Sequence, residues 1–424
     1  SSGRRREGRE SERQRPNMSR HVFTSAVLLL LVAMMCCGIG AAAELQKPKS
    51  CPGSQPAKHF DWRDVKGGET VRFLHVPSLL KVGNDVFAVA QAHCDSDECL
   101  FTGIASEPLT LSGSTPKSLD KTNLKTQVLD NCPLDERNCP SQAVEQGDSQ
   151  SIKNIHVGRP TTVVRGSDIY MLAGNYVSKN FLSRQVSEPE AAPWGLLLAK
   201  GNVTKNEGKN RIHYWKDTRN VPCTSIGEHQ GSLTGLLGGG GSGVEMKDGT
   251  LVLPVEGTKK RVGAEEDGKN NNVSMIIFSL KDTTTWTLSK GMSDGGCTNP
   301  SVVEWKDKLM MMTACDDGRR RVYEFNVNEE SWTEALGTLS RVWGNNQKRH
   351  ERGVGSGFIT ATIDTGNDKK RDVMLVTLPV YAGEKEKGKL HLWLTDNTHI
   401  VDIGPVSGED DAAASSLLYK SGEK

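Results

Sequence analysis

The chain has 424 residues, enough for two or three ordinary domains or for one large β architecture. Its 53 Lys and Arg nearly cancel its 52 Asp and Glu, leaving a formal net charge of +1, so there is no global field to recruit nucleic acid and that partner class is excluded. Forty-four glycines with only 5% aromatics indicate many tight turns, while 36% hydrophobic residues still supply a core.

Residues 1–17 hold six Arg and three Glu without a fold pattern and read as an upstream segment that does not bear on the fold. A secretory signal follows over residues 18–43. Arg20 and His21 give it a basic start, Val22 to Ile39 an apolar run, and Ala41-Ala42-Ala43 a small-residue cleavage pattern. The competing reading is a membrane anchor, since about 18 apolar residues just span a bilayer. The small-residue exit and the polar Glu44-Leu45-Gln46-Lys47 favour cleavage. A secreted chain oxidises its thiols, so the eight cysteines from Cys51 onward are expected as disulfides. Cys94 with Cys99 and Cys132 with Cys139 are close enough in sequence to staple local loops. Neither a C-x-x-C pair nor an H-E-x-x-H motif is present, and nothing implies a metal or cofactor. The sequons at Asn202 and Asn272 lie between apolar runs, where loops belong, and are glycosylation candidates.

One pattern recurs along the chain: a few apolar residues, a turn rich in Gly, Asp, Asn or Lys, then four or five apolar residues. It appears at Leu80 to Val89, Val163 to Leu172, Val244 to Leu253, Val302 to Met312 and Phe358 to Val376. Each copy is a hairpin signature, because its turn residues tolerate positive φ between β-prone runs. The spacing of about 60 to 80 residues is too long for a solenoid and suits the four-stranded blades of a β-propeller. Leu236 to Gly243 (L-L-G-G-G-G-S-G) lacks the G-K-[ST] ending of a phosphate cradle and reads as flexible backbone between strands. Trp286, Trp305, Trp332 and Trp393 sit in or beside strand patterns and are first read as core.

Ser279 to Trp286 looks like a worn copy of the sialidase Asp-box, S-x-D-x-G-x-T-W, and Phe325 to Trp332 like a more eroded one. With Glu334 to Ser340, Leu390 to Asn397 and Ser415 to Lys420, these segments make the chain resemble the parasite surface trans-sialidase family, from the signal to Lys424. The resemblance implies an all-β, six-bladed sialidase-type propeller over residues 44–424. It also implies a last blade left incomplete where the chain stops and a lectin-like domain and lipid anchor lying beyond it. Active members of that family hold the sialic acid carboxylate in three arginines, attack with a Tyr activated by a Glu, and use an Asp as acid/base. A neutral nucleophile suits an anionic substrate, and guanidinium forks bind a carboxylate bidentately.

The family positions are replaced here. His75 in Phe73 to Ser78 stands for the first arginine and lacks its fork. Gln91 stands for the acid/base Asp, and an amide delivers no proton. Pro160 falls at a further substrate-contacting Asp, and Asn299 at the activating Glu. The second arginine aligns with Ala314, or with Cys315 after a one-residue gap. The third falls at Lys387, the tyrosine nucleophile at Ala414, and no aromatic stands near Lys385 for the acceptor sugar. The resemblance therefore implies a non-catalytic surface glycoprotein that binds a host cell-surface or extracellular glycoprotein or glycan. Its place would be the secretory pathway and cell surface, with membrane association only through a C-terminal anchor. The alternative is an exo-α-sialidase or trans-sialidase working through a repositioned site.

Overall fold

The structure, a computed structural model, describes residues 59–419 apart from 66–69, 97–98, 111–117, 120–123, 133–152, 177–195, 207–208, 213–214, 222–224, 261–270, 281–282, 327–330, 344–354, 365–369, 383–386 and 413. The signal region, Lys385 and Cys139 therefore lie outside the described residues. Apart from one 3-10 turn at Gly227–Gly231, the regular structure among the described residues is β.

The first unit is the antiparallel path β2 (Phe73–Val82), β3 (Asp85–Ser96), β4 (Cys99–Leu109) and β5 (Lys125–Cys132), with β1 (His59–Asp64) added to β5. The second consists of β6 (Lys153–Arg165), β7 (Asp168–Tyr176) and β8 (Leu196–Asn206), with β9 (Lys209–Ile212) and β10 (Lys216–Asn220) both pairing β8. The start of β6 also pairs β5, which joins these two units, and the short β12 (Gly241–Ser242) pairing β6 completes one eleven-stranded sheet. The third has β11 (Leu233–Gly238), β14 (Leu251–Lys259), β15 (Asn272–Ser279) and β16 (Thr287–Leu288), with the short β12 (Gly241–Ser242) and β13 (Val244–Glu245) before β14. The fourth is β17 (Cys297–Trp305), β18 (Lys308–Cys315), β19 (Arg320–Asn326) and β20 (Ser331–Glu334). The fifth is β21 (Phe358–Asp364), β22 (Lys370–Val380), β23 (Lys389–Thr395) and β24 (Ile400–Pro405). The all-β propeller expectation holds, and the described residues contain five such units.

All five repeated sequence hairpins are the inner hairpins of these units. Val82 faces Asp85 across Gly83-Asn84, and Arg165 faces Asp168 across Gly166-Ser167, with both glycines at φ 60°. Trp305 faces Lys308 across Lys306-Asp307, at φ 48° and 64°, the geometry in which two-residue hairpins match strand twist.

The second strand of each unit reads as an unbroken apolar run because both its faces are covered. Alternation at period 2 sends neighbouring residues into different cores. Met311, fully buried, packs with Val252 and Ile276 of the third unit, whereas Met310 and Met312 pack with Met374 and Val376 of the fifth. In the same way Tyr170 and Leu172 meet Leu251 and Leu253, while Ile169 and Met171 meet Phe87 and Ile104. Each interface between successive units is thus a dry layer of interdigitated side chains. A fully buried Met contributes about 1.5–3 kcal/mol by removal from water.

The worn Asp-box joins β15 to β16. Ser279 Oγ donates to Thr285 O at 2.7 Å, Trp286 Nε1 donates to Thr283 O at 3.1 Å, and Trp286 is buried. The second copy joins β19 to β20, where Phe325 faces Trp332. Both occupy the link between third and fourth strands that the motif predicts. The sequons depart from expectation. Asn202 lies in β8 and Asn272 opens β15, so both are on strands rather than loops, because the apolar runs around them are themselves continuous strands. Asn202 is exposed, whereas Thr258 Oγ1 donates to Asn272 Oδ1 at 2.9 Å.

Candidate functional site

Three inner strands carry the same irregularity at the same place. The tripeptides Val76-Pro77-Ser78, Arg159-Pro160-Thr161 and Asn299-Pro300-Ser301 each fall where the pairing register slips, and Val76, Arg159 and Asn299 all have φ of 51–52°. A bulge needs one residue outside the ladder, and proline, with no N–H, fills it without orphaning a donor. A non-glycine residue at positive φ costs of order 1–2 kcal/mol, so three copies mark a backbone held by its surroundings.

In the third unit the inner strand is split, and the glycine run does the splitting. Residues 239–243 cross from β11 to β13, with β12 lying parallel to β6 through Gly241↔Thr161 and Ser242↔Thr162. Gly240 N donates to Thr161 Oγ1 at 2.8 Å and Gly243 N to Thr162 O at 2.7 Å. At φ 83°, a Cβ on Gly240 would stand 2.2 Å from Val76 Cγ1. The run expected as flexible linker is instead backbone packed at the closest approach of three units, because only hydrogen fits there.

These bulges line an axial cleft of about 440 Å³, closed on its remaining sides by Gly355 to Ile359 and by Ala414 to Leu417. The latter segment is held on both flanks: Ser415 N donates to Gly355 O at 2.9 Å, and Leu79 N donates to Ser416 Oγ at 3.1 Å. Of the seven family positions, the cleft brings His75, Asn299 and Ala414 together. Gln91 stands behind its wall, its Oε1 accepting from Arg159 N at 2.8 Å. Pro160 is outside the lining and its neighbour Arg159 is in it, whereas at the other two bulges both Val76 and Pro77, and both Asn299 and Pro300, line the cleft. Ala314 is buried on β18 opposite Thr298, and Cys315 is bonded to Cys297 (S–S 2.03 Å); neither lines the cleft. Lys387 is exposed away from it, with Nζ 3.4 Å from Glu409 O.

Two side chains at the floor were not singled out by the sequence. Arg159 donates from Nε to Gly238 O at 2.8 Å and from Nη2 to Gly239 O at 2.9 Å, to Glu256 Oε1, and to Asn299 Oδ1 at 3.4 Å. Glu256 Oε1 also accepts from Asn299 N. Burial pushes the Glu256 carboxyl above its ordinary value, against the opposing pull of the Arg159 guanidinium and the Asn299 N–H. The signal for Arg159 was the thrice-repeated X-Pro-[Ser/Thr]. That for Glu256 was a lone carboxylate directly after the apolar run Leu251 to Val255. The disulfide Cys297–Cys315, absent from the local staples expected, ties the strand end beside Asn299; Cys94 is disulfide-bonded as well.

His75 and Arg159 are the ionisable side chains in the described lining, which holds no Asp, Glu or Tyr. Of its serines, Ser301 Oγ donates to Ser356 O at 2.8 Å, and Ser415 Oγ lies 2.8 Å from Thr377 Oγ1. No base within hydrogen-bond reach activates them among the described residues.

A family model described as a BNR repeat-like domain matches residues 76–424. A sialidase of Trypanosoma cruzi is 38% identical over 282 residues, which is 64% of this chain and 23% of that protein. Sialidase 85-1.1 of the same organism is 34% identical over 292 residues, 65% of this chain and 36% of its own length. The solved structure of Trypanosoma rangeli sialidase superposes with a TM-score of 0.62 at 28% identity, covering 83% of this chain and 51% of that one. The same sialidase has been solved with 2,3-difluorosialic acid as a covalent intermediate. The chain spans 23% and 36% of the two curated relatives and about half of the solved one.

Proposed function

The chain belongs to the BNR repeat-like, sialidase-type superfamily, and on that premise we propose that it is a non-catalytic, trans-sialidase-like surface glycoprotein. It travels the secretory pathway and uses its propeller to bind a host cell-surface or extracellular glycoprotein or glycan. The observation that carries this reading is the lining of the axial cleft. Where sialoside hydrolysis needs a proton donor, a nucleophile and a fork for the substrate carboxylate, the described walls present His75, Asn299 and Ala414. The one guanidinium has Nε and Nη2 already committed to Gly238 O, Gly239 O and Glu256. Removing acid, base and nucleophile together leaves binding and whatever electrostatics survive.

The second reading, an exo-α-sialidase or trans-sialidase, is favoured by the 38% identity to a sialidase. Incubating the secreted protein with a fluorogenic sialoside separates the two. Fluorescence at the level of the protein-free blank is expected. Turnover that a sialic acid analogue abolishes would establish the enzyme and end the binding-protein reading.

A further inference from the structure

We propose that the cleft takes a neutral saccharide terminus, one without a carboxylate, with Arg159 Nη1 as its anchoring donor; this deepens the binding-protein reading and rests on it. The guanidinium is the one permanent charge in the described lining, and Glu256 beneath it supplies the opposite charge, so the floor is a compensated pair rather than an anion site. Nε and Nη2 point at Gly238 O, Gly239 O, Glu256 and Asn299, and Nη1 donates to none of the described residues. A carboxylate would therefore meet one nitrogen instead of a fork. It would give up its hydration for a single charge-assisted bond and face the Glu256 charge as well. An uncharged oxygen avoids both penalties.

The walls point to a saccharide among uncharged ligands. They carry serine hydroxyls at 242, 301, 356, 415 and 416, and Ser356 Oγ is buried without a hydrogen-bond partner, an orphan that a bound oxygen would satisfy. Leu74 and Val76 add an apolar lip for the C–H face of a ring. An extended peptide needs a sheet edge with free amides, and Pro77 and Pro300 remove donors from these walls. The volume lies within the range of small-ligand sites, roughly 300–1,000 Å³.

The test is a calorimetric titration of the whole secreted protein with pairs of oligosaccharides that differ only in a terminal sialic acid. The neutral member of at least one pair is expected to bind no weaker than its sialylated partner. Arg159→Ala should weaken that binding at least tenfold. Glu256→Gln, which removes the compensating charge, should shift the preference at least tenfold toward the sialylated member. The proposal is overturned if no neutral member binds. It is equally overturned if the wild type prefers the sialylated member tenfold, or if Arg159→Ala binds unchanged with an unchanged melting temperature. Should both variants fail to fold, the wild-type preference alone decides. Sialic acid released during the titration would instead refute the non-catalytic reading, so the two failures are told apart.

Discussion

The two ends of the inner strands solve opposite problems. At one end are tight hairpin turns; at the other are bulges that open a cleft. The turn end is clasped from unit to unit by exposed and half-buried groups: Arg165 reaches Glu245 and Gly249 O, and Lys247 reaches Asp307 at 2.6 Å and donates its backbone N–H to Glu304 Oε2. The cleft end is held by buried backbone contacts and by the Arg159–Glu256–Asn299 cluster. The turn end is built from local sequence preferences and tolerates change. The cleft end is built from contacts between distant segments and does not.

The layer between the two ends sets the upper limit on any single effect. Met311→Ala empties a fully buried site between the third and fourth units and should cost about 2–5 kcal/mol in denaturant unfolding. A loss below about 1 kcal/mol would mean that this interface is not the dry layer described.

Two glycines then sharpen the contrast directly. Gly240→Ala, at φ 83° and with a Cβ 2.2 Å from Val76 Cγ1, should cost about 3 kcal/mol or more. Gly166→Ala, at φ 60° with nothing within 4 Å, should cost only the left-handed penalty of about 1–2 kcal/mol. Equal melting shifts for the two would erase the distinction between ends.

Acidity separates the regions by sign. Glu256 has a raised native value, so it binds its proton more tightly folded than unfolded. Its contribution is present below the ordinary carboxylate range and is lost as pH rises through the native value. Asp396 behaves oppositely. The His399 and Thr398 amides and the His399 ring hold its carboxyl down to about 2, so its contribution is present above the ordinary value near about 4 and is lost as pH falls toward 2. Hydrogen exchange on acidification should therefore open the Thr398 and His399 amides before the amides of β14. Simultaneous opening would contradict this order. The smallest effect belongs to Asp307→Asn, whose partner Lys247 is fully solvated; no change in melting temperature beyond measurement scatter is expected.

The same division explains what could be read from sequence. Hairpins were legible because Gly83-Asn84, Gly166-Ser167 and Lys306-Asp307 carry their turn geometry within a few residues. The Asp-box links were legible for the same reason, with Ser279 and Trp286 seven residues apart. The cleft was legible only in part. The resemblance singled out His75, Asn299 and Ala414, which do meet there, but it assigned Pro160 where Arg159 faces inward. Which residue of Arg159-Pro160 turns in depends on a bulge, and a one-residue register choice flips every side chain. Glu256 and the packed role of Gly240 arise between segments more than 90 residues from Arg159 and Val76, and no local pattern encodes such contacts. The sequons misled for a related reason: a polar residue on an exposed strand and one in a loop look alike in sequence.

On the proposed reading, this cleft keeps the position of a sialidase nucleophile without the nucleophile. Intact-mass spectrometry of the secreted protein after incubation with 2,3-difluorosialic acid, the compound seen as a covalent intermediate on the Trypanosoma rangeli sialidase, tests it most directly. An unchanged mass is the predicted result, because Ala414 offers no attacking atom. A stoichiometric covalent adduct on any residue of the chain would contradict the account.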